Sequence, residues 1–158
     1  MSLLQITNLN LSIYQFDILK DVSLSIDPGE IVAVTGESGS GKSMTALATM
    51  ALLPKGAITT GQIMLGEHDI AGLDEATLCG MRGNDMGMVF QEPMTALNPV
   101  QTIGAQVSET IRIHDPTISR TEAETRAAET LARVGLPQDR FPLGRFPHEL
   151  SGGHRQRV

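Results

Sequence analysis

IVAVTGESGSGKSMTALATMALLP, Ile31 to Pro54, decides how the rest of the chain is read. Ile31–Thr35 is a short apolar run with β-branched residues, the pattern of a strand buried on both faces of a parallel sheet. GESGSGKS, Gly36 to Ser43, follows, and the run from Lys42 to Leu53 reads as a helix stopped by Pro54 and Gly56. Strand, glycine-rich loop and helix form the setting in which G-x-x-x-x-G-K-[ST] grips phosphate. Gly36, Gly39 and Gly41 let the backbone curl so that successive N–H groups face anionic oxygens. The helix start adds partial positive charge. Lys42 has the reach and charge for β- and γ-phosphates, and the Ser43 hydroxyl is of the kind that ligates Mg²⁺. A plain glycine-rich turn with a solvated lysine would account for the loop alone, but not for its place between such a strand and such a helix.

Outward from the loop the pattern stays mixed. In DVSLSID, Asp21 to Asp27, Val22, Leu24 and Ile26 alternate with Ser23 and Ser25, which predicts a half-buried strand; LLQITNL, Leu3 to Leu9, is its expected partner, and Pro28-Gly29 is a turn. GQIMLGEHDI, Gly61 to Ile70, reads as strand and turn, Asp74 as the cap of a short helix through Met81, and MGMVF, Met86 to Phe90, as a second buried strand. Beyond Phe90 the chain turns helical. Thr102–His114 places Ile103, Val107, Ile111 and Ile113 near helical spacing. Ser119–Gly135 opens with a capping box, Ser119-x-x-Glu122, and closes at Gly135 with Pro137 beyond. This divides the chain into residues 1–90, mixed strand and helix, and 91–158, helical.

Composition narrows the classes. At 158 residues and 41% hydrophobic, one ordinary domain with a packed core is feasible, and with aromatics at 3% and no Trp that core is aliphatic. A formal net charge of -6 argues against a non-specific nucleic-acid binder, which needs a basic face to displace counterions. The lone Cys79 excludes a disulfide framework and fits a reducing compartment. MSLLQITNLN lacks the basic and apolar regions of a signal peptide, and the longest nearly apolar stretch, Met44–Leu53, is too short to span a bilayer.

Three further stretches carry a family resemblance. MVFQEPMTALNP, Met88 to Pro99, puts Gln91 directly after an apolar run at the entry to the helical region. LSGG, Leu150 to Gly153, stands near the end, and Leu19–Leu24 with Pro28-Gly29-Glu30 frames the phosphate loop from upstream. In order and spacing these resemble the Q-loop, signature and leading strand of the ATP-binding subunit of an ABC (ATP-binding cassette) transporter, along the whole chain. The wording RGNDMGMVFQEPMTALNPVQTIG, Arg82 to Gly104, together with FPHELSGG, Phe146 to Gly153, is similar to the oligopeptide, dipeptide and nickel importers.

The resemblance implies an α/β fold: the P-loop NTPase core of an ABC cassette, with an incomplete parallel core sheet, an antiparallel β subdomain and an α-helical signature subdomain. It implies that Gly36, Glu37, Ser38, Gly39, Ser40, Gly41, Lys42, Ser43 and Met44 hold ATP, with Mg²⁺ at Ser43 and Gln91. Lys42 and Gln91 are the implied catalytic residues, and Gln91 links the γ-phosphate to the helical region. Tyr14, with Phe16 as the alternative, is the candidate to stack on adenine; an ordinary edge-strand aromatic remains the other reading. Two cassettes of this family meet head to tail, so Ser151, Gly152 and Gly153 are expected to meet ATP held by a partner cassette, with a helix starting near His154 aimed at the γ-phosphate. The other implied partners are two transmembrane permease subunits and an extracytoplasmic substrate-binding protein, with no nucleic acid. They place the chain peripherally on the cytoplasmic face of the inner membrane. The family's Asp-Glu strand end and switch histidine belong after the signature and are not in this sequence, so the 158 residues are expected to be a fragment that binds ATP at most. A truncated, catalytically inactive nucleotide-binding module stays open beside the importer ATPase. His154 departs from the glutamine usual after LSGG, and tuning rather than loss is expected from it.

Overall fold

The computed structural model describes residues 2–90 and 96–158. They fall into two compact units, Met1–Arg82 and Gly83–Val158.

The first unit is built on a four-stranded antiparallel sheet in the order β2-β1-β3-β4. β1 is Leu4–Ile13, β2 Phe16–Ile26, β3 Ala57–Leu65 and β4 the short His68–Asp69. β1 and β2 form the expected pair, with Leu4 opposite Ile26, Ile6 opposite Leu24 and Ile13 opposite Phe16. Along β1 the buried residues are Ile6, Leu9 and Leu11, so the two-residue period slips by one between Ile6 and Leu9. A bulge causes the slip. Asn8 takes a positive φ there, its N–H donates to Ser23 Oγ at 3.0 Å, and its amide donates to the Asp21 carboxylate. The Asp21 N–H in turn donates to Asn10 Oδ1 at 2.9 Å. Side chains thus occupy the ladder positions that the bulge vacates.

Two helices complete this unit. α1, Lys42–Thr49, follows the glycine loop and is shorter than the expected run to Leu53: Ala51 sits at φ 51, outside helical geometry. α2, Glu75–Met81, begins where expected, with Asp74 Oδ1 accepting from the Thr77 N–H at 2.8 Å. Leu9, Leu11, Leu19, Ala48, Ile63, Ile70 and Leu78 are among the buried core residues.

The two buried strands expected from Ile31–Thr35 and Met86–Phe90 are not seen. Neither segment forms a strand among the described residues, Met86 alone making an isolated bridge, and Ile31 and Val89 are each 97% exposed. An apolar run becomes a buried strand only when strands pair with its backbone and layers cover both faces. The incomplete parallel core sheet is correspondingly unpaired, and the antiparallel β subdomain is the ordered sheet.

The second unit is a helical hairpin with a coiled extension. α3, Ile103–His114, is capped by Thr102 Oγ1, and α4, Arg120–Arg133, by Ser119 Oγ, which accepts from the Glu122 N–H at 3.2 Å. Only the serine half of the predicted capping box is made, because the Glu122 carboxylate turns to Arg126 at 2.9 Å. α4 stops as the sequence predicted: Gly135 takes φ +80 and the Leu136 N–H closes back on Leu131 O at 2.9 Å. Ile103, Leu131, Leu136, Phe141 and Leu150 form the core, with Val107, Leu143 and Val158 against it.

Candidate functional site

In the first unit the phosphate loop is an exposed bowl over Gly36–Ser40 that runs into α1. The Ser40 N–H donates to Glu37 O at 3.2 Å, tightening the turn. Gly41, at φ +93, is the N-cap of α1, and a Cβ there would lie 2.4 Å from Leu19 Cδ2, so only glycine fits both the backbone and the close approach of β2. A Cβ on Gly36 would meet Ser40 Oγ at 2.7 Å, which would crowd the mouth of the bowl. Glu37, Ser38, Gly39 and Ser43 are exposed, and Met44 is half-buried on the first turn of α1.

The Lys42 ammonium folds back over the loop. It donates to Gly36 O at 2.8 Å, Glu37 O at 2.7 Å and Ser40 Oγ at 3.3 Å. A cation is therefore already fixed over the curl of the backbone. The start of α1 differs from the other helices. Asp74, Thr102, Ser119 and Ser151 each cap theirs with a side-chain oxygen, whereas Gly41 brings none. The first N–H groups of a helix have no partner within it. Here they face the loop with a lysine beside them, the donor set an anionic phosphate requires.

Tyr14 lies in the turn between β1 and β2, with positive φ and 76% exposure. Its N–H donates to Gly56 O at 3.2 Å, and its ring sits over Gly56, where a Cβ would be 2.9 Å from Cε1. Phe16 opens β2 and is similarly exposed. Gln91, the expected γ-phosphate and Mg²⁺ residue, lies outside the described residues.

In the second unit the LSGG stretch makes a capped turn. Leu150 is buried in the core, while Ser151, Gly152 and Gly153 are exposed. Ser151 caps α5, Gly152–Arg155, with Oγ accepting from the His154 N–H at 3.4 Å. The helix therefore starts at Gly152, two residues before the expected His154. His154 packs edge-on against Phe141, ring centroids 4.7 Å apart, and His148 stacks on Phe146 at 5.6 Å. Arg155 Nε donates to Leu150 O at 3.0 Å, and Arg157 donates to Gly153 O at 3.1 Å and Val134 O at 3.2 Å. These bonds fix the turn from behind and leave its Ser-Gly-Gly front open.

Sequence reasoning missed Arg82. Its guanidinium donates to Met50 O at 2.9 Å and Ala51 O at 3.0 Å and pairs with Glu75. The Asp74-Glu75 pair is engaged structurally, Asp74 in its cap and Glu75 with Arg82. The Thr77 N–H and hydroxyl hold the Asp74 carboxyl below its ordinary pKa, and the Arg82 guanidinium does the same for Glu75, while Glu75 raises Arg82.

Comparison with known proteins gives one family model, "ABC transporter", matching residues 19–158. The chain is 53% identical over 147 residues to a protein of Brucella abortus (strain 2308) named for peptide import ATP binding, covering 89% of this chain and 43% of that one. It is 45% identical over 140 residues to the oligopeptide transport ATP-binding protein OppD of Mycobacterium tuberculosis, covering 89% of this chain and 23% of that one. A solved ATP-binding cassette, dimeric in a post-hydrolysis state with ADP and Pi, superposes with TM-score 0.76 at 27% identity, over 98% of this chain and 66% of that one. The chain thus spans less than half the length of the curated relatives it matches.

Proposed function

The chain belongs to the ABC transporter family, and on that premise we propose that it is the phosphate-gripping and signature-bearing part of an importer's ATP-binding subunit, coupling ATP binding and hydrolysis to uptake of peptides or nickel across the cytoplasmic membrane. Residues 1–90 serve as the nucleotide-binding portion and 91–158 as the Q-loop and helical portion. The observation that carries the reading is the bowl over Gly36–Ser43: a lysine fixed over curled backbone beside a helix start with no side-chain cap. Peptide transport is supported by the names of the relatives at 45–53% identity.

In this reading Gly36–Ser43 and Met44 cradle the triphosphate through backbone N–H groups, and Lys42 exchanges its carbonyl partners for phosphate oxygens. Ser43 and Gln91 hold Mg²⁺, which when bound neutralises phosphate charge. The bowl fits such a group, since the Cβ that would crowd it beside Ser40 and Lys42 is missing at Gly36. Tyr14 stacks on adenine from its exposed turn. Ser151, Gly152 and Gly153 meet the ATP of a second cassette, with Ser151 offering its hydroxyl and the glycines bare N–H groups. His154, seated against Phe141 in place of the usual glutamine, tunes that contact. The second cassette, two permease subunits and an extracytoplasmic binding protein complete the machine, and the permeases hold this subunit at the cytoplasmic face. Among the described residues no helix is long and apolar enough to cross a membrane.

The test is direct. The chain should bind a fluorescent ATP analogue with Mg²⁺, and Lys42→Ala should weaken that binding at least about tenfold, since charge-assisted bonds to phosphate are lost. Equal affinity of the two proteins would defeat the reading.

A further inference from the structure

We infer that Arg82 is a positioning residue for the phosphate loop, anchoring α1 from the end opposite to the one that meets phosphate; the inference rests on the nucleotide-binding reading above.

α1 has only eight residues, too few to hold itself together in isolation. Its last turn contains no basic residue to meet the partial negative charge there, and although the Met50, Ala51 and Leu52 N–H groups close on the Ala46, Ala48 and Leu47 carbonyls, the Met50 and Ala51 carbonyls are left to partners from elsewhere. Packing behind it is incomplete as well: a cleft of about 250 Å³ is bounded by Ala48, Ala51, Ile63, Ile70, Leu73 and Leu78. Arg82 supplies what is missing. Its side chain is only 16% exposed and reaches back 31 and 32 residues to the Ala51 and Met50 carbonyls. The bond to Ala51 O adds to the local turn in which the Ala51 and Leu52 N–H groups close on Ala48 O and Leu47 O, a turn that puts Ala51 in a left-handed conformation costing an alanine about 1 kcal/mol or more.

The anchor is itself held. The Arg82 N–H donates to Leu78 O at 2.9 Å, tying its backbone to the end of α2, and Glu75 on α2 pairs with the outer edge of the guanidinium. α1 is a rod of about 12 Å with the phosphate loop at one end and this clamp at the other. A rod pinned at its rear presents its front N–H groups at a fixed depth in the bowl. Without the pin, Ala51 relaxes, the last turn frays, and the amides that face phosphate lose their registration with Lys42. The loss falls on ligand grip out of proportion to the loss of fold.

The experiment compares the chain with Arg82→Ala, Arg82→Lys and Ile6→Val, the last a core substitution of the same unit away from α1. Affinity for the fluorescent ATP analogue with Mg²⁺ is titrated at a temperature where every variant is folded. Melting midpoints and amide hydrogen exchange are recorded without nucleotide. Arg82→Ala should weaken binding by about tenfold, the scale of charge-assisted bonds to two carbonyls. Exchange should accelerate in α1 but not in β1–β3. Arg82→Lys should recover part of the affinity, because one ammonium cannot span two carbonyls as a guanidinium does. Ile6→Val should lower the melting midpoint and leave affinity unchanged. The inference is overturned if Arg82→Ala binds as tightly as the parent chain, or if affinity follows melting midpoint equally in Arg82→Ala and Ile6→Val. A parent chain that binds no ATP analogue overturns the nucleotide reading itself, and this inference with it.

Discussion

Single residues carry the chemistry, and their consequences are sharpest at Gly41. Its left-handed φ and the 2.4 Å approach of Leu19 to a would-be Cβ add two penalties at one position. Gly41→Ala should cost about 2 kcal/mol in urea unfolding, and it should weaken nucleotide binding because the loop must shift to make room. Acid sensitivity is also local. The Asp74 and Glu75 carboxyls sit below their ordinary values in the folded chain, so each contributes stability that is present above its unfolded pKa of about 4. That contribution is lost as pH falls through the folded value. Asp74→Asn should therefore lose less stability between pH 6 and pH 3 than the parent chain, measured by urea midpoints at the two pH values. The curl of the loop into α1 was legible in the sequence because its glycines and Lys42 lie at adjacent positions. Arg82 was not, because its partners lie 31 and 32 residues away and no spacing rule connects them.

Elements divide along the same line. Helix starts at Asp74, Thr102 and Ser119 were readable because a cap is a bond between residues three apart. Ser119→Ala should accordingly cost about 1 kcal/mol, read from the thermal midpoint, and Ser119→Asp should hold it. Leu136, fully buried where the chain leaves α4, should cost about 2–5 kcal/mol on change to Ala. The β1–β2 pairing was readable from alternation, yet the bulge at Asn8 was not, since it depends on Asp21 and Ser23 across the strand pair. Ile31–Thr35 marks the limit of local reasoning. Its residues state a preference for burial on both faces, while burial itself is conferred by neighbours from elsewhere in a fold. The end of α1 errs for a related reason: Met44–Leu53 is nearly all apolar with no glycine to mark a stop, yet Ala51 turns left-handed, the Ala51 and Leu52 N–H groups close on Ala48 O and Leu47 O, and Arg82 takes the carbonyls beyond.

At the scale of the whole molecule the 158 residues hold the glycine loop leading into α1 and the LSGG turn, each in its own compact unit. They include a single Asp-Glu dipeptide, at 74–75, whose carboxylates are already committed to a helix cap and an arginine. Phosphoryl transfer to water needs a residue that orients the water. The chain alone should accordingly release phosphate from ATP no faster than its Lys42→Ala variant in a coupled phosphate assay. Ile31, Val34, Val89 and Phe90 are open to solvent on segments that form no strand among the described residues. Such sticky ribbons govern how the protein behaves in a test tube. It should light up an environment-sensitive dye such as anilinonaphthalene sulfonate while still folded, cloud at modest ammonium sulfate, and call for dilute, low-salt handling if it is to stay monodisperse.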